Sequence, residues 1–143
     1  MSNPNIEVLN DVTKTLIDSQ KGYEKVCEVA DENHGLRNKF KTLAYERSEL
    51  VTAFQARVRD LGGQPETEGG TAGALHRGWA DFTSLFMSDE KAALEAVDDG
   101  EDYLGDRIDS KLEKSDLAPE TIELLKRAKN SARQGEKFAD ALT

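Results

Sequence analysis

The chain of 143 residues has one cysteine, three prolines and no cluster of basic residues. A single thiol, Cys27, excludes an intramolecular disulfide and fits a reducing compartment. Pro4, Pro65 and Pro119 all fall near a terminus or between helical segments, so proline interrupts no long periodic stretch. Lys and Arg are scattered against a net charge of −9, which excludes the clustered positive surface that nucleic acid or an anionic membrane requires. No apolar run approaches the ~20 residues that span a bilayer. The opening MSNPNIEVLND has neither the basic n-region nor the apolar h-region of a signal peptide, so the expected location is the cytoplasm. Val/Ile-rich alternation is missing, which removes the signal for strands.

What remains is helix. Apolar residues make up 37% and charged residues 33%, the balance of a bundle with heavily charged outer faces, and the length suits a single domain over 1–143. A first helix is predicted over about 5–31, with Val8, Leu9, Val12, Leu16, Ser19, Tyr23, Val26, Cys27 and Ala30 on one stripe. Asn33-His34-Gly35 is expected to end it, Gly35 taking a left-handed conformation. A second helix is predicted over about 36–61. Its seam of Leu36, Phe40, Leu43, Arg47, Leu50, Phe54, Val58 and Leu61 is nearly a strict heptad. Gly62-Gly63 stops it, and the Gly-rich stretch at about 62–73 reads as a crossover between antiparallel pairs.

The third helix starts near Thr71 with Leu75, Trp79, Phe82 and Phe86 at a/d spacing. It is expected to break near Ser88, where Ser88-Asp89-Glu90 looks like a fresh N-cap, and to continue through Leu94, Val97, Glu101, Leu104, Ile108 and Leu112. The last helix opens on Pro119 and carries a weaker stripe of Ile122, Leu125, Ala128, Ala132 and Ala139. Gly135 and the polar ending GEKFADALT predict fraying.

The segments DSQKGYEK, LGGQP, GGTAGALHRGW and DDGEDY together resemble the bacterial ferritin-like family labelled domain of unknown function 2383. The resemblance covers nearly the whole chain and departs most in the last helix, which has no His. It implies a ferritin-like four-helix bundle and no assigned activity.

A di-metal centre in such a bundle needs four carboxylates and two His projecting inward. At about 100° per residue, Glu24 and Glu28 lie roughly 100° or more from the centre of the first stripe, and Asp31 about 80° away at the helix end. On the second helix Arg47 is mid-seam, with Glu46 and Glu49 turned away by roughly 90° or more. Glu101 lies within roughly 30° of the third stripe's centre, and Glu136 sits near the fourth. One cation with one or two anions neutralises itself, so an Arg47–Glu101 ion pair is expected in place of metals, with Tyr23 completing a polar core cluster.

Other residues are weighed against plainer roles. His76 and Arg77, after a Gly-rich loop, form a candidate small-anion or ligand site at a helix start, although packing around Trp79 explains them as well. Cys27 reads as a buried, inert thiol. The run 98–102 lacks the spaced loop of an EF-hand. The favoured function is a non-catalytic ferritin-like protein acting through interaction or homo-oligomerisation, without a cofactor. The runner-up is a di-iron or manganese oxidoreductase or metal-storage protein using Glu46, Glu49, Glu101 and Glu136. A small anion or ligand binder ranks third.

Overall fold

The computed structural model describes residues 3–29, 34–70 and 89–142. They form four α-helices: α1 Pro4–Val29, α2 His34–Asp60, α3 Glu90–Leu112 and α4 Pro119–Leu142. No strand occurs among the described residues, and no helix is long and apolar enough to cross a membrane.

The apolar stripes explain the packing. Val8, Leu9, Val12, Leu16, Ser19, Tyr23 and Val26 of α1 are buried, and so is the α2 seam from Leu36 to Val58. α1 packs mainly on α2, and α3 mainly on α4; the two pairs join chiefly through α2 and α4. α2 and α3 make no backbone contact, so they stand diagonally across the bundle.

Contacts at one end fix the directions. Asn5 Oδ1 accepts from the Ala118 backbone N–H at 2.8 Å, just ahead of α4. Arg107 and Lys111, late in α3, both pair with Asp11 of α1. Arg57, late in α2, pairs with Glu120 in the first turn of α4. The start of α1, the ends of α2 and α3 and the start of α4 therefore share one end of the bundle. α2 and α3 run the same way, and the described part of the chain between them, up to residue 70, heads back along the bundle. It does so beside α1. Asn10 bonds the Gln64 carbonyl and the Glu66 N–H, each at 3.0 Å, and Asp18 accepts from the Gly70 N–H at 3.1 Å.

Local signals act at two of the helix ends. Asp89 caps α3, its carboxylate accepting from the Ala92 N–H at 3.2 Å. α2 closes with Gly62 at φ +84°, the Gly62 N–H bonded to the Arg59 carbonyl and the Gly63 N–H to the Val58 carbonyl, both at 2.9 Å. That double closure is a Schellman motif, and it needs a residue tolerant of positive φ.

Two expectations are corrected. Gly35 takes no left-handed conformation: it lies in the first turn of α2, which already includes His34. Gly135 does not mark fraying, because α4 continues to Leu142 with Gly135 buried in it. The predicted helix opening at Thr71, its break near Ser88 and the end of the crossover fall in 71–88, outside the described residues.

No heavy atom lies within 4 Å of where a Cβ on Gly62 would sit, so a substitution there tests backbone conformation alone. Gly62→Ala is expected to cost about 1–2 kcal/mol, with Gly62→Asn costing less, in urea unfolding followed by circular dichroism.

Candidate functional site

Two apolar clusters fill the bundle. One contains Leu9, Leu16, Phe54, Leu104 and Leu125, and the other Tyr23, Phe40, Leu43, Val97 and Ala139. Between them lies a polar layer to which every helix contributes: Ser19 from α1, Arg47 from α2, Glu101 from α3 and Ser131 from α4. Arg47 and Glu101 are each 0% exposed. The positions follow from the heptad seams, because each charged residue takes a place that its helix otherwise gives to Leu or Val.

The pair is bidentate. Arg47 Nη1 donates to Glu101 Oε1 at 2.8 Å, and Nη2 donates to Oε2. Arg47 Nε donates to Ser131 Oγ at 3.1 Å. The planar fork of Arg matches a carboxylate and leaves a third donor for the serine, a geometry that Lys cannot reproduce. Since α2 and α3 have no backbone contact, these two long side chains connect the diagonal. The Tyr23 ring stands beside them, its centroid 5.7 Å from Arg47 Cζ, and stacks on Phe40 at 5.6 Å.

The electrostatics favour the charged form of Arg47. Burial by itself works against the Arg47 charge, but the field and hydrogen bonds of Glu101 outweigh it and hold the guanidinium above its ordinary pKa. Burial, and then the negative charge of Glu101, push the Tyr23 phenol well above its usual range, and a hydrogen bond to Glu101 acts in the same sense. Tyr23 therefore stays neutral.

Gly135 is what lets this layer close. A Cβ there would overlap Glu101 Oε2 and stand 2.9 Å from Glu101 Cδ. α4 faces the carboxylate with a bare backbone, and sequence reasoning missed both this and Ser131. Small residues in a weak helical stripe carry no mark that separates a core cradle from a fraying end.

The four carboxylates considered as metal ligands do not converge. Glu101 is bonded to Arg47. Glu136, expected near the core, instead pairs with Arg133 at 3.1 Å. Glu46 and Glu49 line a groove between α2 and α4. No group of three or more His, Cys, Asp or Glu with metal-binding geometry occurs among the described residues. Among the described residues, the side chains around Glu101 do not fit a di-metal centre, because a cation there would face the buried Arg47 guanidinium.

A second charged assembly was missed. Arg133 bonds Asp102 at 2.9 Å and Asp106 at 3.0 Å on α3, as well as Glu136 on its own helix. A Cβ on Gly105 would lie 2.6 Å from Arg133 Cζ, so this glycine gives the guanidinium its seat on α3. The i, i+4 spacing of Asp102 and Asp106 was the available signal. Glu136 is raised above the ordinary carboxylate range, first by burial and then by Asp102, against the pull of Arg133. Cys27 is half-buried rather than buried, and burial raises its thiol pKa. His76 and Arg77 lie outside the described residues.

The chain belongs to the family described as Domain of unknown function (DUF2383), whose model matches residues 5–114. That span includes Tyr23, Arg47 and Glu101 and ends before α4. No curated protein and no solved structure matches the chain.

Breaking the pair from one side leaves a buried charge. Arg47→Leu is expected to cost roughly 3–5 kcal/mol, while Arg47→Met with Glu101→Leu is expected to recover most of that loss; chemical denaturation of the two variants measures it. Gly135→Ala should destabilise in wild type and far less in the Glu101→Leu background, a coupling that a double-mutant cycle reads directly.

Proposed function

We propose that this member of the DUF2383 family is a non-catalytic ferritin-like bundle that acts through interaction or oligomerisation. Its core charge layer is a structural ion pair rather than a metal centre. The observation that carries the reading is the bidentate Arg47–Glu101 pair at the level where a di-metal bundle gathers its carboxylates. To bind at Glu101, a cation would have to displace Arg47 and leave a guanidinium buried and unpaired, which costs several kcal/mol. The ferritin-like description is supported by parallel α2 and α3 and by a link whose described part runs back beside α1. With Arg47 bonded to Glu101 and Ser131 inside the core, the outer faces are left for function. A cytoplasmic setting agrees with the single cysteine.

Elemental analysis of protein purified without chelators, followed by anaerobic Fe²⁺ titration, tests the reading. The expected result is sub-stoichiometric iron and no change in binding between wild type and Glu101→Ala. Near-stoichiometric iron that is lost in Glu101→Ala would overturn it in favour of a metal-dependent oxidoreductase or storage protein.

A further inference from the structure

A groove lies outside the buried pair. It has a volume of about 280 Å³ and lies between α2 and α4. One wall carries Glu46 and Glu49, one helical turn apart on α2; the other carries Arg127 and Asn130, one turn apart on α4. Leu50 and Ser131 also line it. At other places in the bundle opposite charges on neighbouring helices are paired, as in Arg107–Asp11, Arg57–Glu120 and the Arg133 assembly. Here they are not. Among the described residues, Glu46, Glu49 and Arg127 form no ion pair with one another or with any other side chain.

The walls are joined through the core behind them. Arg47 Nε donates to Ser131 Oγ at 3.1 Å, which ties α2 to α4 at this level. Because that oxygen is the acceptor, its O–H remains to donate, and it makes no such bond among the described residues. A simple cation would answer only the carboxylate wall, and a simple anion only Arg127. A molecule with both charges answers both walls and meets Leu50 with its carbon chain.

We propose that this groove binds a small zwitterion of the amino-acid type, its ammonium on Glu46 and Glu49 and its carboxylate on Arg127, Asn130 and the Ser131 hydroxyl. The volume suits a ligand of that size, below the range of drug-like pockets. The site is separate from the ion-pair reading: it uses groove-wall side chains, and the Arg47–Glu101 pair keeps its partners whether or not a ligand binds.

The test is a titration of the ¹⁵N-labelled full chain with β-alanine and with γ-aminobutyrate, which hold the same two charges at different separations. Methylammonium and acetate each supply one charge alone. The proposal expects saturable shifts confined to amides of 46–50 and 127–134 for at least one zwitterion, with each single-charge fragment at least tenfold weaker. Arg127→Ala and the Glu46→Gln/Glu49→Gln double variant should each lose tenfold or more, with Arg59→Ala, on the exposed end of α2, unchanged. Unchanged thermal melts of these surface variants show that lost binding is not lost folding. Absence of saturable shifts with both zwitterions, equal binding of a fragment, or undiminished binding in the groove variants would each overturn the proposal. None of these results bears on iron binding at Glu101, so this site and the scaffold reading stand or fall separately.

Discussion

A guanidinium and a carboxylate, both out of contact with water, set the terms for this bundle. Two ions in a low-dielectric core are tolerated only with near-ideal geometry and with their remaining donors satisfied. Arg47 and Glu101 meet that demand through two parallel hydrogen bonds and a third to Ser131. The requirement reaches outward from there. α4 must present Gly135 so that the carboxylate has space, and Tyr23 must stay neutral beside it. α2 and α3 must hold the register that brings their side chains together across the diagonal.

The pair also separates two apolar clusters that could otherwise slide past each other. Leu, Val and Ala seams are permissive about register, since many apolar arrangements have similar energies. A single buried charge pair is far less so, because a shift of one turn leaves both ions unpaired. On this account the ion pair contributes specificity more than net stability, as buried polar groups do in coiled coils. The peripheral ties, Asp11 to Arg107 and Lys111 and Arg133 to the α3 carboxylates, join the same helices at the surface. They are partly solvated, so each contributes less.

How much of this was readable from residues alone depended on contrast. Arg47 and Glu101 were legible because each interrupts a run of Leu, Val and Phe at heptad spacing, and a charge in such a place has to be answered by another. The caps at Asp89 and Gly62 were legible because their chemistry is local. Gly135 and Ser131 were not, since a small residue looks the same whether it cradles a carboxylate or frays. Glu136 was misplaced for a related reason: α4 has a weak stripe, so its inward direction is poorly defined by angle, and Arg133 draws the carboxylate to the surface. The unpaired walls of the α2–α4 groove could not be foreseen, because pairing between helices distant in sequence leaves no periodic trace.

Arg47 is locked in the core by Glu101, and side-chain ¹⁵N NMR of the arginine guanidinium reports on that directly. Separate, slowly exchanging Nε and Nη proton signals are expected for Arg47, protected to the level of global unfolding and unaffected by added Mn²⁺ or Fe²⁺. Averaged, rapidly exchanging Nη signals, or a resonance that moves on metal addition, would contradict it.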